Sequence, residues 1–287
     1  MSVIADRANV VFPARVCFNF AARCNMRCPY CYIPFDAQES DYDLWKRIID
    51  QIRAWGTKGI TFGGGDPFMY PEFRDLLSYT ADRKFFVHVD TNALEMKESD
   101  FAGNRLKMNL LGLPLDGSNA FVHGLMRDHS KHFSCVIKAI KSANHHNIPI
   151  KINTVVSKKN IDDLERMLPL LRDYRISRWS LYEFWSLGDA GLVNSADYAI
   201  SPNVFLEKAL DLKSQCEFAV VEIGAIEARR HSYFFVTQAG RAYTVHPNDV
   251  SQYLELGSIF ENDVLAKWQN VASYSDNAGR LGARVVN

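Results

Sequence analysis

Three of the six cysteines lie within eight residues of one another. Cys24, Cys28 and Cys31 have the spacing C-x3-C-x2-C and come directly after a strand-like run. Thiolates are good ligands for zinc, copper(I) and iron–sulfur clusters. Such sites normally take four ligands, whereas this loop supplies three and the next histidine is His88. The spacing predicts a metal centre with one open position; a structural metal knuckle and unligated core cysteines are the alternatives.

Further polar residues come at the ends of the strand-like runs that follow. Gly63-Gly64-Gly65-Asp66-Pro67 ends the second run, Thr91-Asn92 the third, and Asp116 the fourth. Glycine allows a backbone to approach a ligand closely. A carboxylate placed after glycines at a strand end is therefore a candidate ligand-binding group.

These residues need a scaffold, and apolar runs that alternate with amphipathic segments provide one. The predicted strands cover 15–20, 58–63, 85–91, 108–115, 148–156 and 177–184, and the predicted helices cover 40–54, 71–82, 118–126, 131–146 and 160–173. Alternation of this kind predicts parallel strands with helical crossovers, in an α/β barrel or a doubly wound sheet. After residue 200 the pattern changes to a helix that begins at Ser201-Pro202, short strands at 217–223, 232–236 and 241–245, and a helix at 261–271.

Composition excludes several classes of protein. The chain has 287 residues, 33 Lys+Arg and 33 Asp+Glu, so it lacks the excess positive charge that nucleic-acid binding uses. The hydrophobic fraction of 47% is that of a globular protein. No apolar run is long enough to span a membrane, and the first residues lack the apolar core of a signal peptide. We therefore expect a cytoplasmic protein without a membrane or nucleic-acid partner.

The cysteine loop, with Tyr30 before its last cysteine, resembles the motif of the radical S-adenosylmethionine (SAM) superfamily. The resemblance implies that Cys24, Cys28 and Cys31 hold a [4Fe-4S] cluster and that SAM binds its fourth iron. It also implies a one-electron reductant such as flavodoxin or ferredoxin. By position in the family's motifs, it implies cofactor contacts from Tyr30, Gly64, Gly65, Asp66, Pro67, Thr91, Asn92, Asp116, Arg127 and Val155.

The family's fold is a partial (β/α)6 TIM-type barrel, which agrees with the six units counted above. We expect an N-terminal segment 1–14, the partial barrel at 15–200, and a small α+β C-terminal extension at 201–287 that caps the barrel. Cys216 is the only cysteine after Cys135, which limits the chain to a single cluster.

Local sequence around the fifth and sixth strands resembles the viperin-like group of the superfamily, which implies a small, anionic, nucleotide-like substrate. Strand alternation places Lys151 and Asn153 in the barrel lumen, together with Arg178 and Tyr182. The candidate substrate-binding residues are Asn19, Lys151, Asn153, Arg178, Tyr182 and Tyr233.

Three alternatives to this interpretation stay open. In the first, the lumen cations form internal ion pairs with Glu183 or Asp90 and do not bind substrate. In the second, the substrate is a peptide or an amino acid. In the third, the protein is a noncatalytic metal-binding protein. Besides Lys151 and Arg178, the basic residues that could bind phosphate are Arg229, Arg230 and Arg241. A triphosphate normally requires several basic donors, so this set is small for such a substrate.

Overall fold

The computed structural model describes residues 12–34, 40–102 and 107–272. All six predicted strands are present, as β1 (Arg15–Ala21), β2 (Gly59–Gly64), β3 (Phe86–Asp90), β4 (Leu110–Pro114), β5 (Ile150–Val156) and β6 (Arg178–Glu183). They lie side by side in chain order, and each pair is parallel. This confirms an α/β fold with a parallel sheet of the partial TIM-barrel type.

The chain after residue 200 extends this sheet at both edges. Within the described residues, four more strands follow, namely β7 (Val220–Gly224), β8 (Phe235–Thr237), β9 (Arg241–Val245) and β10 (Tyr253–Ser258). The order in the sheet is β10-β9-β8-β1-β2-β3-β4-β5-β6-β7. β7 is parallel to β6 and β8 is parallel to β1, whereas β9 and β10 form antiparallel pairs beyond β8.

The C-terminal strands therefore belong to the same sheet as the first six strands. The proposed division at residues 14 and 200 stays a prediction, and residues 1–11 and 273–287 of its terminal segments lie outside the described residues.

Helices connect the strands and cover the outer face of the sheet. They are α1 (Tyr42–Ala54), α2 (Phe73–Asp82), α3 (Glu98–Phe101), α4 (Ala120–Arg127), α5 (His132–His145), α6 (Leu164–Arg172), α7 (Gly188–Val193), α8 (Ser195–Tyr198), α9 (Pro202–Gln215), α10 (Ile226–Arg229) and α11 (Val264–Ala272). α9 begins as predicted, because the Ser201 side chain accepts a hydrogen bond from the Val204 N–H and Pro202 occupies the first turn. No helix in the described ranges is long and apolar enough to cross a membrane.

Alternation along the strands separates the core from the lumen. On β1, Val16, Phe18 and Phe20 are fully buried among the outer helices, while Cys17 and Asn19 face the cavity. Burial of each large apolar side chain stabilises the fold by about 1.5–3 kcal/mol. The helix-packed face thus fixes the register, and the register decides which polar side chains enter the lumen.

Candidate active site

A cavity of about 290 Å³ occupies the barrel lumen and opens among the strand ends. The three clustered cysteines line it at the carboxyl ends of the strands, where active sites of barrel enzymes lie. Sixteen of the candidate cluster, cofactor and substrate residues line this cavity: Asn19, Cys24, Cys28, Tyr30, Cys31, Gly64, Gly65, Thr91, Asn92, Arg127, Lys151, Asn153, Val155, Arg178, Tyr182 and Tyr233. Asp66, Pro67 and Asp116 do not line it.

The cysteine loop connects β1 to α1 and has several fixed contacts. The Cys31 N–H donates to the Cys28 carbonyl oxygen at 3.0 Å. The Asn92 amide lies 3.7 Å from the Cys24 Sγ, and the Arg127 guanidinium lies 3.7 Å from the Cys28 Sγ. Asn92 and Arg127, at the ends of the third and fourth β/α units, thus both contact the cysteine loop.

The three thiols match a metal cluster in chemical type, and one loop carries all three. Burial raises the pKa of Cys24 and Cys28, and it raises the pKa of Cys31 to about 12. Thiols of this kind stay protonated until a metal displaces the proton. In the described residues no group of three or more His, Cys, Asp or Glu side chains is already arranged to hold a metal ion. By their chemistry, Cys24, Cys28 and Cys31 are the residues that would hold a cluster.

The glycine run after β2 lies against the base of this loop. Gly65 donates to the Ala21 carbonyl oxygen at 2.6 Å, and Asp66 donates through its N–H to the Arg23 carbonyl oxygen at 2.8 Å. A Cβ at Gly65 would overlap the Arg23 carbonyl group and lie 3.0 Å from the Cys24 nitrogen. Gly64 has a φ of +106°, which favours glycine. The glycines therefore bring the end of β2 into backbone contact with the cysteine loop.

The Asp66 carboxylate lies behind the cavity wall and is fully buried. It accepts hydrogen bonds from the Thr91 hydroxyl (2.7 Å), the Asn92 N–H (2.7 Å) and the Phe68 N–H (2.9 Å). Burial raises its pKa to about 6, although these three bonds oppose the shift. In this arrangement Asp66 connects the end of β2 to the end of β3. Its predicted contact with SAM stays a prediction.

Asp116 also lies behind the wall and links three residues that line the cavity. It accepts hydrogen bonds from the Tyr30 hydroxyl at 2.7 Å, the Arg127 Nε at 2.6 Å and the Val155 N–H at 2.8 Å. Its side chain is fully buried, and that of Arg127 is 11% exposed. The sequence predicted cofactor contacts for all four residues, and the structure has Asp116 orienting the other three.

Two buried histidines that the sequence left without a role connect the same strand ends. The Asp116 N–H donates to His123 Nδ1 at 3.1 Å. His123 Nε2 lies 2.8 Å from His132 Nδ1, and His132 Nε2 lies 2.8 Å from the Asn92 carbonyl oxygen. Because Nδ1 of His123 accepts, each ring carries its proton on Nε2 and donates it onward. The separation of His123 and His132 in the sequence does not indicate this series of hydrogen bonds. It forms because the packing of α4 against α5 brings the two imidazole rings together.

Deeper in the lumen, a carboxylate from β7 forms ion pairs with the predicted substrate cations. Glu222 lies 2.7 Å from Arg178, 3.8 Å from Lys151 Nζ and 2.6 Å from the Ser180 hydroxyl. Lys151 also donates to the Tyr182 hydroxyl at 2.8 Å. Internal pairing with Glu183 or Asp90 was one of the alternatives that the sequence left open. Glu222 forms these ion pairs instead, because β7 joins the sheet beside β6.

The other candidate substrate residues lie around the same lumen. The Asn19 amide donates to the Tyr243 hydroxyl at 2.7 Å, and the Asn153 amide donates to Asp90 at 2.8 Å. Tyr233 stacks on Phe235 at a ring distance of 4.8 Å. Arg229 lines the cavity with its guanidinium 5.0 Å from the Tyr182 ring, whereas Arg230 and Arg241 do not line it.

A partial barrel with three cysteines at the mouth of its lumen defines a class of cluster-binding barrel enzymes. The chain belongs to the radical SAM superfamily, because the family model described as "Radical SAM superfamily" matches residues 18–171. Members of this superfamily are enzymes that use a [4Fe-4S] cluster and SAM. The expected cofactors and enzyme class are therefore confirmed at the level of the family, and the noncatalytic alternative is wrong.

Two curated relatives extend the comparison. The chain is 25% identical over 271 residues to an S-adenosylmethionine-dependent nucleotide dehydratase of Selenomonas ruminantium, covering 87% of this chain and 91% of that protein. It is 23% identical over 202 residues to Fe-coproporphyrin III synthase of Methanosarcina barkeri, covering 69% of this chain. The match spans only 50% of the length of that second relative.

Solved structures show the same fold. SuiB of Streptococcus suis, bound to S-adenosylmethionine, aligns with a TM-score of 0.69 at 15% identity and covers 94% of this chain and 70% of SuiB. The enzyme anSMEcpe with bound AdoMet aligns with a TM-score of 0.67 at 16% identity and covers 91% of this chain and 82% of that one.

Proposed function

We propose that this radical SAM enzyme removes a hydrogen atom from a small anionic substrate, of nucleotide or nucleoside type, bound in the barrel lumen. One observation carries the proposal. Lys151 is only 5% exposed and lines the same cavity as Cys24, Cys28 and Cys31. Its ammonium group donates to the Tyr182 hydroxyl at 2.8 Å and forms an ion pair with Glu222 at 3.8 Å, and an anionic group of the substrate would add a direct charge-assisted hydrogen bond.

The chain's own residues divide into two groups by depth in the cavity. At the mouth, Cys24, Cys28 and Cys31 would hold the cluster, and Tyr30 and Arg127 line the wall beside it. A cluster held there, with SAM bound to it, would supply the radical chemistry that removes hydrogen from the substrate. The part of the protein would be to position the two partners and to exclude side reactions.

The lumen residues would bind and orient the substrate below the cofactor. Lys151 and Arg178 offer charge, Asn19 and Asn153 offer amide groups, and Tyr182 offers a hydroxyl. The similarity to the nucleotide dehydratase of Selenomonas ruminantium supports a nucleotide-type substrate. The electron would come from a protein such as flavodoxin or ferredoxin.

A peptide or amino-acid substrate is the second candidate. The lumen carboxylates Glu222 and Asp90 favour it, because they would attract an amino group. SuiB, which has the same fold, has been solved bound to the precursor peptide SuiA.

Anaerobic reconstitution with iron and sulfide tests the radical chemistry. We expect about four irons per chain and formation of 5′-deoxyadenosine after dithionite and SAM are added. A fully loaded sample that forms none would contradict the proposed function. Deuterated nucleotides, nucleosides and amino acids then test the substrate, because the true substrate transfers deuterium into 5′-deoxyadenosine.

A further inference from the structure

Arg229, the last residue of α10, is a buried cation that lines the lumen. It is 5% exposed and borders the same cavity as the three clustered cysteines. Within the described residues its guanidinium donates one hydrogen bond, from Nη2 to the Glu183 carbonyl oxygen at 2.8 Å, and it forms no ion pair. Its Nε is buried without a hydrogen-bond partner. Buried donors in folded proteins are normally hydrogen-bonded, so an unpartnered donor on a residue that borders a cavity points to a ligand.

Two aromatic rings hold this guanidinium in place. Its central carbon lies 5.0 Å from the centre of the Tyr182 ring and 4.8 Å from that of the Trp185 ring. The face of an aromatic ring attracts a cation electrostatically and does not act as a conventional hydrogen-bond acceptor. The rings therefore fix the position of the cation and leave its N–H groups available to an oxygen acceptor.

Both rings are themselves anchored. The register of the sheet pairs Tyr182 of β6 with Gly224 of β7. A Cβ at Gly224 would lie 2.5 Å from Cδ1 and 3.0 Å from Cε1 of the tyrosine ring, so only glycine leaves space for it. The Trp185 indole N–H donates to the Val250 carbonyl oxygen at 2.7 Å. A ligand that binds Arg229 would therefore find the guanidinium already positioned, which lowers the cost of binding.

Tyr182 also connects Arg229 to the candidate substrate residues. The Lys151 ammonium donates to the Tyr182 hydroxyl at 2.8 Å and lies 5.4 Å from the centre of the ring. Lys151 and Arg229 thus contact the same tyrosine side chain, and all three residues line the cavity. A small molecule that reaches Lys151 is consequently in the neighbourhood of Arg229.

Charged groups on the neighbouring elements do not fill this donor. Glu183 supplies its carbonyl oxygen to Arg229, while its carboxylate accepts from the Ile226 N–H at 2.7 Å. Glu222 and Asp90 accept their side-chain hydrogen bonds from residues of β5 and β6. The lumen contains several charges of both signs, so its net charge does not distinguish Arg229. The unpartnered Nε does.

We infer that Arg229 binds an oxyanion of the substrate, either a phosphate monoester or a carboxylate, through the N–H groups of its guanidinium. This inference rests on the proposed function, because it names a residue that selects the substrate of the same site. An oxyanion suits this donor, because the planar guanidinium forms charge-assisted hydrogen bonds with carboxylate and phosphate oxygens. Such a bond would give Nε the acceptor that the protein does not provide.

Matched probes test the inference by calorimetric titration of the reconstituted protein with SAM bound. Each ribonucleoside 5′-monophosphate is compared with its nucleoside, and N-acetylglycine is compared with its amide. We expect wild-type protein to bind at least one oxyanion probe about tenfold more tightly than its neutral partner, as one charge-assisted hydrogen bond provides. Arg229→Gln should abolish this preference and leave the affinity for the neutral partner unchanged.

A second variant and a control make the test specific. Arg229→Lys keeps a positive charge but lacks Nε and the planar donor group, so it should also lose most of the preference. Both variants should bind SAM with wild-type affinity, which reports in addition that they are folded. Arg166→Gln, whose side chain is 76% exposed on α6, is the matched control and should keep the wild-type preference.

The outcomes separate the two kinds of oxyanion and the two proposals. Preference for a nucleotide assigns a phosphate monoester, and preference for N-acetylglycine assigns a carboxylate. No preference in either arm, or a preference that either Arg229 variant retains in full, would overturn the inference. A loss of SAM affinity as large as the loss of probe affinity would also overturn it, because Arg229 would then contact the cofactor. Failure of the proposed function appears separately, as absence of 5′-deoxyadenosine from wild-type protein.

Discussion

The imidazole of His123 donates to that of His132 across 2.8 Å, with the two rings stacked inside the protein. This pair continues a hydrogen-bond chain from the Asp116 N–H to the Asn92 carbonyl oxygen. The ends of the third and fourth β/α units are therefore joined through neutral side chains. Since Asn92 also contacts the cysteine loop, the pair positions residues on two sides of the cofactor end of the cavity.

Replacement of His132 by Phe should loosen this arrangement. The change leaves His123 Nε2 and the Asn92 carbonyl oxygen without partners, which costs about 1–3 kcal/mol of unfolding free energy for each buried group. We expect weaker SAM binding as well, measured by titration of the reconstituted protein. His145→Phe, at the exposed end of α5, is the control. Equal SAM affinity in His132→Phe and wild type would contradict a positioning role.

The same pair predicts a dependence of stability on pH. Burial lowers the pKa of His123 to about 3 and of His132 to about 4, whereas histidine in an unfolded chain titrates near 6.5. Between these values only the unfolded chain takes up the protons. The unfolding free energy should therefore fall as pH drops from about 7 to about 4. Denaturant titrations of wild type and of a His123→Asn/His132→Asn double variant measure this, and the decline should be shallower in the variant.

Cys28→Ala should abolish cleavage of SAM. The variant removes one of three thiols that would hold the cluster, so its iron content should also fall. Cys135→Ala, which changes a cysteine of α5 outside the cavity lining, is the matched control and should retain both iron and 5′-deoxyadenosine formation. Wild-type activity in Cys28→Ala would contradict the assignment of this loop as the cluster site.

Lys151→Ala should separate cofactor chemistry from substrate turnover. The side chain lies in the lumen beside Tyr182 and Glu222, so its loss should remove substrate-dependent product. Cleavage of SAM without substrate should continue. Lys141→Ala on the exposed face of α5 controls for loss of a lysine. If both activities fall to the same extent, Lys151 has a structural role instead.

Two glycine-to-alanine changes should have different effects, because one should lower the iron content and the other should raise the stability of the fold. Gly65→Ala would force the Arg23–Cys24 backbone away from β2, so we expect lower iron content after reconstitution. In α4, a Cβ at Gly124 would meet its nearest neighbours at 3.8 and 3.9 Å. Gly124→Ala should therefore stabilise the protein by up to about 1 kcal/mol, because alanine favours the helix. Melting curves and iron assays of both variants check the contrast.

Much of the fold follows from local patterns in the sequence. The alternation of Ile150, Lys151, Ile152 and Asn153 predicts which residues pack against helices and which enter the lumen, and the structure has them so. Each strand of the first six has its own periodic signal, and parallel order follows from the helices between them. The positions of the motifs at the strand ends could likewise be predicted from the local sequence alone.

Side-chain direction and long-range pairing could not be predicted in the same way. Asp66 and Asp116 occupy the expected strand ends, yet both turn away from the cavity to bind neighbouring loops. Glu222 became the partner of Arg178 only because β7 pairs with β6 in a particular register. Such contacts depend on the assembled sheet, and no local pattern around residue 222 indicates them.

The position of β1 has a consequence for synthesis of the chain. β1 carries the cysteine loop, and its second neighbour is β8, with Asn19 and Tyr243 of the adjoining β9 separated by 224 residues along the sequence. During translation, one edge of β1 therefore stays unpaired until β8 (Phe235–Thr237) has been synthesised and has left the ribosome. An open edge is a template for association with other chains. Incomplete products that stop before β8 would consequently aggregate through the strand that leads into the cysteine loop.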